Sequence, residues 1–253
     1  PAGVGKTETA KVLADTLETR LIRLQCYEGL DAMTALYEWN YPHQMLRARL
    51  SETEDASIEE REAQIFSERF LLKRPLLEAI TEDRSPVLLI DEVDRADEAF
   101  EAFLLEVLAE WQVTIPELGT IRGEHIPHVI LTSNRSREIG DALRRRCLYL
   151  FVAHPALEKE VRILRLKAPG ASEQLAREIA RFMQVIRRRR LSKAPGVAEA
   201  IDWANALVTL HRSHLDTDVV ADTLGCVHKD RHDVEDLGRA DLDALVAEAR
   251  SGV

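Results

Sequence analysis

Gly3-Val4-Gly5-Lys6-Thr7-Glu8, an apolar run that stops at Asp91-Glu92, a second that stops at Asn134, and Arg144-Arg145-Arg146 follow one another along the chain. The first fits the second half of the pattern G-x-x-x-x-G-K-S/T. In that pattern backbone N–H groups cradle phosphates, the lysine reaches β and γ oxygens, and the hydroxyl residue binds Mg2+. Phosphoryl transfer to water depends mostly on positioning and charge stabilisation, and the order of residues supplies each part. Lys6 and Thr7 would hold triphosphate and Mg2+, with Asp91 supporting the metal. Glu92 would polarise the attacking water, Asn134 would orient that water or the γ-phosphate, and an arginine would neutralise charge on the leaving phosphate. Each stretch also has a plainer reading. Lys6-Thr7 could open an ordinary helix, Asp91-Glu92 could be first-turn carboxylates, Asn134 a turn residue, and the arginines a solvated helix end. It is their order that favours the joint reading.

The elements that must carry these residues follow from periodicity. Ala10, Leu13, Ala14 and Leu17 mark one face of a helix leaving the phosphate loop, and Leu21 to Cys26 reads as a strand. A helix is expected over Leu30 to Leu50, interrupted at "EWNYPH" by Pro42, and an amphipathic helix ending near Ile80. "SPVLLIDEVD" and "HVILTSN" read as buried strands whose carboxyl ends present polar residues, where open parallel sheets place ligands. A helix around "FEAFLLEVLAEW" and a hairpin in "QVTIPELGTIRGE" lie between them, and "DALRRRC" with "LYLFVA" closes this part. Helical segments follow at about 156–167, 171–190, 197–212, 216–226 and 240–250. The expectation is an α/β domain with a parallel sheet over 1–153 and a small helical domain over 154–253. Because a phosphate loop links a buried strand to a helix, the strand feeding this one is expected upstream of Pro1, with the chain truncated at its N-terminus.

The chain has 253 residues and a net charge of −10, which opposes a protein that coats nucleic acid. Its apolar runs are far short of the roughly 18 residues that span a bilayer. Cys26, Cys147 and Cys226 form no C-x-x-C and suit a reducing cytoplasm. Cys226, His228 and His232 could reach one zinc ion, but without a second ligand pair they read as a solvated helix end. His211 and His214 read as surface or core histidines, and Arg187 to Arg190 as the basic end of a helix that answers its dipole or a neighbouring subunit.

The whole chain resembles the MoxR family of AAA+ ATPases, nearest the CoxD-like branch. The residues that carry the likeness are "PAGVGKTE" as Walker A, "VLLIDEVDRA" as Walker B, "VTIPELGTIRGEHIPHVILTSNRSRE" as a hairpin plus sensor 1, and "DALRRRCLY" as the arginine-finger segment. The resemblance implies a P-loop NTPase sheet domain followed by an all-α lid, with ATP and Mg2+ as cofactors. It implies nucleotide contacts from Gly3, Val4, Gly5, Lys6, Thr7, Glu8 and Asp91, and metal support from Thr7 and Asp91. Glu92, Asn134, Lys6 and Arg146 would be catalytic, Arg146 closing an L-x-x-R pattern after Leu143 with Arg145 in reserve. "YEWNYPH", and with it residues 39–43, would belong to an insert in the second helix. Further implications are a hexameric ring, chaperone-like remodelling or metal-centre maturation of a client enzyme, and an adaptor with a von Willebrand factor A domain. One departure stands out: Val197 occupies the position where such relatives carry a sensor 2 arginine, with Lys193 the nearest substitute. A nucleic-acid motor gripping a strand through Arg122 and the basic lid segment is the competing reading, opposed by net charge. A nucleotide-gated scaffold is opposed by Glu92, and a GTPase by the lack of Asn-Lys-x-Asp.

Overall fold

The computed structural model describes residues 3–51, 57–189, 194–228 and 239–251. The chain divides into two units, Thr7–Leu150 and Phe151–Val253, the latter together with Pro1–Lys6. In the first unit, β4 (Val87–Asp91) is buried at every position because both its faces are covered. Val87 and Leu89 meet Ala10 and Ala14 of α1 (Lys6–Thr16), while Leu88 and Ile90 enter a larger core with Leu76, Leu77 and Leu104. Parallel neighbours flank it. β1 (Leu21–Gln25) pairs Leu21 with Val87 through Gln25 with Asp91, and β7 (His128–Leu131) pairs His128 with Val87 through Leu131 with Ile90. The order β1-β4-β7 puts the carboxyl end of β4 between two strand ends, and leaves β7 at an edge among the described strands.

Two expected helices are interrupted by a small sheet. The run from Leu30 to Leu50 becomes α2 (Ala32–Leu36), β2 (Tyr37–Trp39) and α3 (Tyr41–Ser51). Tyr37 and Trp39 alternate inward, and Trp39 packs edge-on to Phe66 at 5.4 Å, so aromatic burial on a pleat overrides the helical period. Pro42 does not break α3: it lies in the first turn, where a missing N–H costs nothing, after Asn40, whose side chain accepts the His43 N–H at 3.3 Å. Downstream, α4 (Ile58–Ile65) stops well before Ile80. β3 (Leu71–Lys73) pairs antiparallel with β2, and α5 (Pro75–Ile80) starts afresh. Arg74, just before Pro75, is extended (φ −95°, ψ 169°), as a residue preceding proline must be, so one helix cannot run through.

α6 (Glu98–Glu110) is capped by Asp97, whose carboxylate accepts the Phe100 N–H at 2.8 Å. The expected hairpin is present as β5 (Gln112–Ile115) and β6 (Gly119–Arg122), and α7 (Asp141–Arg146) follows β7. Leu148, Tyr149 and Leu150 form no strand and are exposed.

The second unit is helical: α8 (Leu157–Lys167), α9 (Glu173–Ile186), α10 (Val197–Thr209), α11 (Thr217–Thr223) and α12 (Arg239–Ser251). Its core centres on Trp203 and Phe182, 5.1 Å apart, and the Trp203 indole N–H donates to Thr223 Oγ1 at 2.8 Å. His228 is buried, which corrects the reading of that segment as a solvated helix end; His232 lies outside the described residues. His211 and His214 are exposed, beyond the end of α10.

Candidate active site

The carboxyl end of β4 delivers two carboxylates in succession. Asp91 closes the strand and is buried, whereas Glu92 takes a left-handed conformation (φ 55°, ψ 48°) that turns it out of the strand direction. A side chain with a Cβ adopts that conformation at a cost of about 1–3 kcal/mol, so its surroundings must hold it. Thr132, just beyond β7, does so: its Oγ1 accepts the Glu92 N–H at 2.9 Å and donates to Asp91 Oδ1 at 2.5 Å. The Thr132 carbonyl accepts the Val93 N–H at 2.9 Å. One residue thus sets the angle between the two acids.

Asp91 is gripped from two more directions. Thr7 Oγ1 lies 3.3 and 3.2 Å from its two oxygens, and Arg23 donates to Oδ2 through Nε at 3.1 Å and Nη2 at 2.6 Å. The same Arg23 Nη2 donates to Gln25 Oε1 at 2.5 Å. Gln25 Nε2 in turn donates to Glu92 Oε2 at 3.3 Å, as does Arg95 Nη1 at 3.3 Å. The other oxygen, Oε1, accepts from Asn134 Nδ2 at 2.7 Å. Thr7, Asp91, Glu92 and Asn134, distant in sequence, therefore form one connected cluster.

Asn134 is aimed by its backbone. Buried Asp94 accepts the Asn134 N–H at 3.2 Å, the Ser136 N–H at 2.7 Å and the Ser136 hydroxyl at 2.6 Å. Burial pushes the Asp94 carboxyl up, but these bonds outweigh it and hold the group below the ordinary aspartate value. Further along, buried Glu101 of α6 pairs with Arg137 and accepts the Gly140 N–H at 2.9 Å, which fixes the start of α7. Arg146 is exposed, and its Nη1 donates to the Leu105 carbonyl at 2.9 Å; Arg145 is exposed beside it. Glu8 is exposed on α1 and pairs with Lys11 at 3.2 Å. Cys26, buried next to this cluster, has its thiol pushed up to about 12 by burial and then by Asp91, Asp94 and Glu92, so it is no nucleophile.

Within the second unit, Gly3 and Gly5 adopt positive φ of 67° and 90°, and α1 begins at Lys6. Such a turn aims successive N–H groups along one side, the arrangement that receives phosphate ahead of a helix N-terminus. Thr7 and Asp91 bring oxygen donors side by side, the hard donor set that Mg2+ takes. Lys193 lies outside the described residues, and Val197 is a buried residue opening α10.

Thr132, Arg23, Gln25 and Asp94 were not anticipated as parts of the site. A signal for two of them existed: in "LIRLQ" the polar residues at 23 and 25 share one face of the strand that would neighbour Asp91.

Residues 1–153 match the family model described as the ATPase family associated with various cellular activities (AAA). No curated protein matches the chain. Among solved structures, a mutant of Thermotoga maritima RuvB is 18% identical, over 96% of this chain and 63% of that one, with a TM-score of 0.52. A second RuvB mutant from the same organism is 17% identical, over 96% and 62%, with a TM-score of 0.51. The chain thus spans less than two thirds of the length of those structures, and at such identity the likeness concerns the fold, an α/β P-loop arrangement with a parallel sheet. Since the family model covers more than half of its residues, the chain belongs to the AAA family of ATPases.

Proposed function

We propose that this chain hydrolyses ATP within a ring of identical subunits, as a MoxR-type AAA+ machine of the CoxD-like branch whose cycle remodels a partner protein. One observation carries the hydrolytic reading: Asn134 Nδ2 on Glu92 Oε1 at 2.7 Å, beside the Thr7–Asp91 pair. Mg2+, held by Thr7 and Asp91, would draw charge from the β and γ oxygens of ATP. Lys6, one residue before Thr7 on the same helix, neutralises those oxygens, and Gly3, Val4 and Gly5 offer main-chain N–H groups to them. Glu92 accepts a proton from water as the water oxygen bonds to the γ-phosphorus and the bond to the β–γ bridging oxygen breaks, releasing ADP. Asn134, Gln25 and Arg95 keep the Glu92 carboxylate turned to its task.

Arg146 acts on the neighbouring subunit's γ-phosphate. Its exposure, with the side chain lying along α6, favours an outward role, and Arg145 is the substitute. Each site is then complete only when the next subunit docks, as closed head-to-tail rings require, and six subunits follow the family pattern. The client task, metal-centre maturation with a von Willebrand factor A domain adaptor, rests on family resemblance. Cytoplasmic residence suits three free cysteines, and among the described residues no helix is long and apolar enough to cross a membrane. Net charge of −10 disfavours the nucleic-acid motor.

Mixing tests the ring and the arginine together. Arg146→Ala and Lys6→Ala proteins, each inactive, should regain part of the ATPase activity when co-assembled, because some junctions pair an intact site with an intact arginine. Mixed rings verified by native mass spectrometry that stay inactive would remove the in-trans role. ATPase activity stimulated severalfold by DNA would favour the motor instead.

A further inference from the structure

The helical unit holds a buried ion pair that the hydrolytic scheme does not use. Glu160 of α8 is fully buried, and Arg187, at the end of α9, forks onto both its oxygens at 2.7 and 2.8 Å. Gln184 adds a donor to the same carboxylate at 3.0 Å and also binds the Pro155 carbonyl at 2.9 Å. With both terminal nitrogens on that carboxylate, Arg187 donates through Nε to the Pro195 carbonyl at 2.7 Å. Pro195 immediately precedes the first turn of α10. No side chain caps that turn in the usual way: its start is Gly196, whose N–H goes to Glu199 Oε2 at 3.0 Å. The next two N–H groups, of Val197 and Ala198, converge on one acceptor, the carbonyl of Gly3, at 2.9 and 3.1 Å.

Gly3 belongs to the phosphate loop and stands at φ 67°. A Cβ there would sit 2.9 Å from Glu199 Oε2 and 3.3 Å from the Gly196 Cα, so the two backbones are in contact. We propose that Arg187 is a positioning residue: it sets the Gly196–Ala198 turn, whose two backbone N–H groups hold the Gly3 carbonyl and keep the phosphate loop in its receiving shape. A main-chain clamp thereby links the lid helices to the phosphate loop at the place where Val197 stands instead of an arginine. The inference rests on the reading of this loop as a nucleotide site and adds to it a group of residues outside the loop that determines how tightly nucleotide is held. Holding the loop in its bound shape beforehand lowers the ordering cost of binding, so loosening the clamp weakens affinity.

Val197→Pro tests the clamp at its centre. Proline is accommodated at the first helical position, Gly196 is already extended (φ −86°, ψ −172°) as a pre-proline residue should be, and the only donor lost is the one on Gly3. Val197→Ala is the matched control, since it trims the side chain and keeps the N–H. With N-methylanthraniloyl-ATP as probe, Val197→Pro should bind about 3- to 10-fold more weakly than Val197→Ala, the scale of one hydrogen bond, at similar melting temperatures. Arg187→Lys retains the buried charge but cannot fork onto Glu160 and reach Pro195 together, so it should shift affinity in the same direction while turnover at saturation changes less than twofold. Equal affinities for Val197→Pro and Val197→Ala, with wild-type protein binding the probe, would overturn this inference alone. Wild-type protein that fails to bind the probe would overturn the nucleotide-site reading and this inference with it. If Arg187→Lys does not fold, the Val197 pair still decides.

Discussion

Thr132 is 4% exposed and joins the two acids, accepting from the backbone of Glu92 and donating to the carboxylate of Asp91. Thr132→Val keeps the shape and removes both interactions. A hydrogen bond to a charged group contributes about 1.5–3 kcal/mol, and leaving a buried N–H without an acceptor costs about 1–3 kcal/mol more. The left-handed turn at Glu92 also loses its anchor, so the expected destabilisation is about 3–5 kcal/mol. For a chain of this size each kcal/mol moves the melting temperature by about 2–4 °C, which puts the shift at roughly 6–20 °C. Thr132→Ser, which retains the hydroxyl, should stay within about 1 kcal/mol. Urea unfolding followed by circular dichroism, with thermal melts alongside, measures all three proteins. A valine variant within 1 kcal/mol of the serine variant would refute the view that this hydroxyl sets the geometry of the acid pair.

Other outcomes follow from neighbouring groups. Asp94→Asn removes the charge that holds Asn134 and Ser136, and should lower ATP turnover at least about 10-fold with nucleotide affinity kept, in steady-state phosphate release. The same carboxyl, held below its ordinary value, contributes stability that is present above about pH 4 and lost as pH falls through the lowered folded value; Asp94→Asn should flatten that acid limb. His154 has its imidazole held low by burial and then by Arg187, and its buried Nδ1 has no hydrogen-bond partner among the described residues. The neutral ring therefore suits the fold, so its contribution is complete above the ordinary histidine value near pH 6.5 and is lost as pH falls from there through the folded value. His154→Gln should remove that part of the pH dependence in melts from pH 7.5 to 5. Cys26 should resist iodoacetamide in the folded protein at pH 8, and labelling at the rate of an unfolded thiol would count against its burial beside the acids.

Much of this site was legible before the fold because β4 announces itself. Four apolar residues followed by two acids can be little other than a buried strand with its ligand end attached, and the same logic led from "HVILTSN" to Asn134. Thr132 and Asp94 were hidden because their work is to hold other residues. A threonine after a strand and an aspartate in a turn are common, and only the 2.5 Å contact to Asp91 and the 2.7 Å contact from Ser136, between residues 41 and 42 positions apart, give them meaning. Arg23 and Gln25 became informative once parallel pairing set Gln25 beside Asp91. The β2 segment misled because Leu30, Met33 and Tyr37 recur at helical spacing, whereas Tyr37 and Trp39, two apart, share a face only in a strand, and long-range pairing with Leu71–Lys73 decided between them. At Arg187 the sequence displayed a basic cluster, whereas in the fold its first arginine turns inward to Glu160 while Arg188 and Arg189 pair with Glu248 and Asp241 on α12.

The central claim is that Glu92 activates water while Lys6, Thr7 and Asp91 hold the nucleotide and its metal. Its most direct measurement is ATP binding and phosphate release on the same preparations of wild-type and Glu92→Gln protein, with Mg2+ present. Glutamine keeps the size and can still meet Asn134, but it takes no proton. The account predicts nucleotide affinity within a few-fold of wild type and turnover lower by at least about 10²-fold. A Glu92→Gln protein that releases phosphate at nearly the wild-type rate would contradict it.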